Sequence, residues 1–332
     1  MSKLPLTIAV SRYDHVNDVL TGAVPVEGID LNPLDLPLHD IFFRFIHFKD
    51  FDVAELSMAK YVSMISQGDD SLIALPVFPS RVPRHSAIYV RRDGPVKQPA
   101  DLAGRRVGVP EWAQTAGVYA RGLLMHEFGV DLASIEWCQA GEDQPGRREK
   151  VELKLPPGVT VRTVLDKSLS DMLVAGELDA ILAAQPPQPY LDGHPNIARM
   201  FEEFLDIEYR YVEKTKIIPI MHTIAMRREI VDRHPWTAVN LFNAFEKAKN
   251  RSVERALYGG IPTFRSCGAS STRAARKRSS TATTGPTASR AIGARSRRSC
   301  AMPTSRASAT ACCASRSCFR RSCSDRTACR IC

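Results

Sequence analysis

Arg81, Arg84 and His85 stand within five residues of one another in the stretch PSRVPRHS, between the apolar runs IALPVF and AIYV. A guanidinium offers a carboxylate two parallel N–H donors. An imidazole exchanges a proton near neutral pH. Pro79 and Pro83 restrict the link and so pre-set the positions of those charges. Comparable groups follow other apolar runs: Ser11, Arg12, Tyr13, Asp14 and His15; Glu55 and Ser57; Ser80; Glu111, Gln114 and Thr115; Gln185; and His222. Together they are the groups that bind carboxylates and move protons, a set suited to a small dianion. A helix starting at Thr115 adds free N–H groups and a positive dipole end. Each residue also has a plainer reading. Arg81 and Arg84 serve as hinge ion pairs, His85 and His222 as hydrogen-bonded packing residues, Ser11 and Ser57 as helix caps, and Glu55 as a cap or an arginine partner.

The elements that must position these residues alternate. LTIAV, FDVAELS, LIALPVF, SAIYVRR, RRVGVP, IEWCQ, VTVRTV and IIPIMHTIAM read as strands, with VEGIDLNPLDL strand-like after Gly28. Between them HDIFFRFIHFK, MAKYVSMIS, TAGVYARGLLMHEFG and LSDMLVAG read as helices, with Thr115 as a helix cap and Gly129 past the helix end. PWTAVNLFNAFEKAKN is an amphipathic helix, its stripe predicted at Trp236, Val239, Phe242 and Phe245. This is an α/β chain with mainly parallel sheets. The pattern restarts near residues 90 and 217, so the expectation is two lobes around a cleft, joined by two crossing strands. Lobe 1 takes residues 1–90 plus 217–262 and lobe 2 takes 91–216. Ligands of such sheets sit beyond the carboxyl ends of the strands, where these polar side chains are expected to fall.

Charge is unevenly spread. The chain carries +9, but residues 263–332 hold 15 Lys and Arg against Asp325 alone, leaving the first 262 residues mildly acidic. Eight of the nine cysteines also lie in 263–332, which lacks Leu, Val, Trp and Tyr. That low-complexity segment repeats no CxxC pair, Cys329 and Cys332 being its single instance, and has no histidine to complete a zinc set. A basic, serine-rich arm is one reading; the preferred one is a GC-rich gene read out of frame, and no function is given to it. The N-terminus lacks a secretory pattern and no run is long enough to span a membrane, so a cytoplasmic setting is expected. Metal-ligand spacings, GxGxxG, P-loop and GxSxG motifs are absent, so neither metal nor cofactor is expected.

Four strings then carry a resemblance: DFDVAELSMAKYV, IALPVFPSRVPRHSAIYV, LAGRRVGVPEWAQTAGVYARGLL and MLVAGELDAILAAQPP. They resemble the corresponding segments of the 4,5-dihydroxyphthalate decarboxylase family, over about residues 4–258. The resemblance implies a type II periplasmic-binding-protein-like fold. It also implies loss of one carboxyl group from 4,5-dihydroxyphthalate, giving 3,4-dihydroxybenzoate and carbon dioxide in phthalate breakdown.

Chemistry then suggests roles. Arg81 and the Thr115 helix start clamp carboxylate, assisted by Arg12 or Arg84, with Ser11 and Ser57 lining the site. His85 is the first choice for the proton donor and His222 the second, and Glu55 partners a phenol hydroxyl. The expected partner is a small aromatic dicarboxylate, with no nucleic acid or membrane, and a homo-oligomer is left open. The alternative is a solute-binding or sensing protein of the same fold that captures an aromatic acid without chemistry. A nucleic-acid partner reading rests on the basic segment alone.

Overall fold

Alternating apolar residues build two sheets in the computed structural model, which describes residues 2–258. The chain runs β1 (Leu4–Ala9), α1 (Asp14–Leu20), β2 (Ile29–Leu34), α2 (Leu38–Phe48), β3 (Val53–Ser57), α3 (Met58–Ser66) and β4 (Leu72–Arg81). It continues with β5 (Ile88–Arg91), β6 (Arg106–Val109), α4 (Thr115–His126), β7 (Glu136–Gly141), β8 (Val161–Ser168), α5 (Leu169–Val174) and β9 (Ala180–Leu182). Then follow α6 (Gln188–Leu191), β10 (Ile197–Arg199), α7 (Phe204–Thr215), β11 (Ile220–Arg227), α8 (Arg228–Arg233) and α9 (Trp236–Tyr258).

The first sheet has the order β2-β1-β3-β11-β4 and the second β10-β5-β9-β6-β7-β8. In the first, β1, β2 and β3 run parallel, while the returning β11 runs antiparallel between β3 and β4. Both faces are covered. Leu6, Ile8, Val53, Ile224 and Met226 pack with Leu241 and Phe245 of α9 on one face. Ala9, Ala54, Leu56 and Ala225 meet Ile41 and Phe45 of α2 on the other. The second sheet is sandwiched in the same way, with Leu124 of α4 on one side and Leu169 and Leu173 of α5 on the other. Gly108 on β6 lets α5 come close: a Cβ there would stand 2.6 Å from Leu169 Cδ2 and 2.8 Å from Leu178 Cδ1.

Two segments cross between the lobes, Val82–Ala87 outward and Lys216–Pro219 back. They run side by side, with the Val82 N–H donating to the Pro219 carbonyl at 3.0 Å. Strand β5 pairs only with second-sheet strands, so the outward crossing ends before residue 88. The boundary expected at residue 90 moves accordingly, because β5 opens the second sheet.

The buried stripe of α9 is Thr237, Leu241, Ala244, Phe245 and Ala248, whereas Trp236 and Val239 are exposed. Trp236 instead covers Gly28, whose Cβ position lies 2.9 Å from its ring. The basic cysteine-rich segment 263–332 lies outside the described residues. Among the described residues no helix is long and apolar enough to cross a membrane.

Candidate active site

Strand β3 alternates Val53, Glu55 and Ser57 on one face, and the antiparallel register of β11 sets His222 opposite Ser57. Glu55 has no exposed surface. Its Oε1 accepts from the Tyr13 hydroxyl at 2.7 Å and from His222 Nδ1 at 2.6 Å, and its Oε2 accepts from the Ser11 backbone N–H at 3.0 Å. Burial works against the charged carboxylate. The His222 hydrogen bond and charge, joined by the Ser11 and Tyr13 donors, nonetheless hold Glu55 below its ordinary range. Burial first, and then the Glu55 charge, push the Tyr13 phenol far up, so it stays a donor. With Nδ1 fixed on Glu55, the proton-active edge of His222 is Nε2. The ring keeps 15% of its side-chain surface exposed and meets the edge of Phe42 at 5.0 Å.

From this cluster the seam between the lobes runs along the first turn of α3. Ser57 Oγ lies 2.8 Å from Thr115 Oγ1 at the start of α4, and the Ala59 N–H donates to the same Thr115 oxygen at 3.0 Å. Thr115 therefore caps α3 across the seam; the position before α4 is Gln114, which makes no side-chain cap bond. One turn further, the buried Lys60 ammonium is 2.6 Å from Glu111 Oε2 and also pairs with Glu149. Glu111 in turn receives Arg147 at 2.6 Å and Lys150, and these charges hold its carboxyl, against burial, down to about 2. Two surface hollows lie away from the seam, one beside Leu132 and Pro156 and one beside Val24 and Asn240. Among the described residues no three His, Cys, Asp or Glu side chains assemble as metal ligands.

Over 256 residues the chain is 39% identical to the 4,5-dihydroxyphthalate decarboxylase of Comamonas testosteroni, covering 77% of this chain and 78% of that one. The chain belongs to the 4,5-dihydroxyphthalate decarboxylase family. A Pseudomonas putida protein of the same name is 38% identical over 204 residues, covering 61% of this chain and 79% of its own. No family model matches the chain. Among solved structures, the periplasmic aliphatic sulphonate binding protein of Escherichia coli gives a TM-score of 0.47 at 13% identity, over 79% of this chain and 80% of that one.

In this decarboxylase-family chain the structure brings together Glu55, His222, Ser11, Ser57 and Thr115, and it employs the other expected residues elsewhere. Glu55 already accepts three protein hydrogen bonds and has no surface to offer a phenol, so it orients His222 instead. His85 is 2% exposed, its ring edge-on to Phe201 and Tyr211, with none of its contacts in the Glu55–His222 cluster. Burial, opposed by Glu127, lowers it to about 4, so it is neutral near pH 7. Arg81 donates from Nε and a terminal nitrogen to the Ile218 carbonyl, tying the end of β4 to the returning crossing. Arg84 reaches Met221 Sδ at 3.0 Å and the Ala184 carbonyl at 3.1 Å, bracing the outward crossing between β11 of the first sheet and the segment after β9 of the second. Arg12 forms an exposed ion pair with Asp35 at 3.1 Å. Sequence reasoning passed over Lys60, Arg147, Glu149 and Lys150. A lysine in a helical run and charges in a polar loop carry no signal until the lobes meet.

Proposed function

We propose that this enzyme decarboxylates 4,5-dihydroxyphthalate to 3,4-dihydroxybenzoate and carbon dioxide, with His222 as the proton donor. The observation that supports the role is the 2.6 Å contact between His222 Nδ1 and the wholly buried Glu55. A carboxylate so placed fixes the imidazole tautomer and stabilises the imidazolium that must carry the proton.

Each substrate carboxylate lies para to a hydroxyl, whose electrons make the carboxyl-bearing ring carbon basic. His222 Nε2–H donates its proton to that carbon. The C–C bond to the carboxylate then breaks, carbon dioxide leaves, and the bonding pair returns to the ring and restores aromaticity. One carboxylate and one proton are consumed for one ring C–H and one carbon dioxide. His222 recovers its proton from water. The carboxylate edge of the ring points to the seam, where the Ser57 and Thr115 hydroxyls stand at the starts of α3 and α4. The reading carries with it a place in the breakdown of phthalate-type acids inside the cell.

The test is carbon dioxide release when the full chain is mixed with 4,5-dihydroxyphthalate. Stoichiometric release with appearance of 3,4-dihydroxybenzoate is the expected result. Saturable binding of the substrate without release would replace this reading with that of a solute-binding protein.

A further inference from the structure

The arginines expected to clamp carboxylate are engaged at the crossings or on the surface, yet positive charge collects at the seam. Lys60 approaches from α3 and Arg147 and Lys150 from the loop after β7, while Arg121 on α4 stacks on Trp112 and feels the charge of Glu149. Their counter-charges there are Glu111 and Glu149. Glu142, which also feels Arg147, is held up to about 7 by burial and the neighbouring Asp143. Four cationic groups thus stand around the Glu111 and Glu149 carboxylates, so positive groups outnumber negative partners about the buried Lys60 and Glu111. Such an excess is costly without an anion to offset it.

A second observation also points to a ligand. Arg121 is 5% exposed, and its guanidinium lies 3.7 Å over the Trp112 ring while one terminal nitrogen donates to the Trp112 carbonyl at 2.7 Å. The other terminal nitrogen is buried with no hydrogen-bond partner among the described residues, beside the opening turn of α4: a Cβ on Gly117 would lie 3.2 Å from it. Burial, opposed by Glu149, lowers Arg121 to about 9, so it is still charged near neutral pH. The Gln114 Oε1, one residue before α4, is likewise buried and without a partner among the described residues.

We propose that Lys60, Arg121, Arg147 and Lys150 form a dianion site at the seam, which receives the two adjacent carboxylates of a ring dicarboxylate. This inference rests on the decarboxylase reading for the ring chemistry, but its charge argument stands on the cluster itself. Lys60 is one helical turn beyond Ser57, and Ser57 is the cross-strand neighbour of His222, so carboxylates held here set the ring edge beside His222. Entry parts Lys60 from Glu111 and Glu149. The lobe 2 carboxylate Glu111 tolerates that parting, because Arg147 and Lys150 remain on it.

Phthalate, which lacks the hydroxyls that drive the reaction, and benzoate, its monocarboxylate counterpart, are the probes. Calorimetric titration of the full chain should give phthalate an advantage of about tenfold or more over benzoate. Arg147→Gln and Lys150→Met, at partly exposed positions, should each cut that advantage by about fivefold or more, while Arg12→Met leaves it unchanged. No phthalate preference in the unaltered chain overturns the site whatever the variants do. An unchanged preference in folded Arg147→Gln and Lys150→Met overturns it too. Carbon dioxide release measured alongside separates the two claims. Release with an unaltered phthalate preference in the variants rejects the site alone, whereas a lost preference without any release rejects the reaction alone.

Discussion

His222 Nδ1 lies 2.6 Å from Oε1 of Glu55, a carboxylate with no exposed surface that also holds the Tyr13 hydroxyl and the Ser11 backbone N–H. Replacing Glu55 with Gln keeps the shape but removes the charge that balances an imidazolium, and it allows the wrong tautomer. Turnover should fall by about 10²- to 10⁴-fold with KM changed little, a split read from steady-state kinetics.

Tyr13 supports that carboxylate without touching the proton path. Tyr13→Phe deletes one of three hydrogen bonds to Glu55 and leaves the stack on His15, 5.3 Å between ring centroids. A loss of about 1 kcal/mol is expected, or roughly fivefold in kcat. A kcat equal to that of the unaltered enzyme would mean that Glu55 needs no help from the phenol.

His85 governs stability on the acid side. Its folded value, about 4, lies below the ordinary histidine value because burial disfavours the cation. The folded state therefore binds fewer protons than the unfolded chain between these values. Stability is full above about pH 6.5 and drains away as pH falls toward 4, by about 2–3 kcal/mol. His85→Phe, in the same aromatic nest, should flatten that slope in denaturant titrations run across the window.

Glu142 has the opposite sign. Burial and then Asp143 raise it to about 7, so the folded state retains a proton that the unfolded chain gives up. Its contribution is full below about pH 4.5 and is lost as pH rises through 7. Glu142→Gln should therefore gain on the unaltered protein between pH 5 and 8, measured as the difference in melting temperature. A constant difference across that range would show that Glu142 does not titrate there.

Much of the scaffold was legible because periodicity reports burial directly. MAKYVSMIS is α3 to the residue, and FDVAELS contains β3 with every residue buried. The two crossings were legible from the restart of the strand pattern. The stripe on α9 was not, because exposed Trp236 covers Gly28 by contact across the fold rather than by helical phase. The site divides in the same way. Glu55 and Ser57 close β3 and Thr115 follows β6, so their convergence could be anticipated from strand ends, whereas His222 sits near the start of β11 and meets Ser57 because that strand returns antiparallel. PSRVPRHS drew attention by its local density of charge, yet its arginines brace the crossings and His85 packs among aromatics. Lys60 and Glu149 lie 89 positions apart, and their pairing depends on the meeting of two lobes that no local pattern encodes.

The most direct test follows carbon dioxide release from 4,5-dihydroxyphthalate in a single turnover, comparing the unaltered chain with His222→Gln. Release by the unaltered chain is expected, with a rate lower by about 10²-fold or more in the variant and phthalate binding preserved. A variant rate within threefold of the unaltered one, in folded protein, would contradict the assignment of His222 as the proton donor.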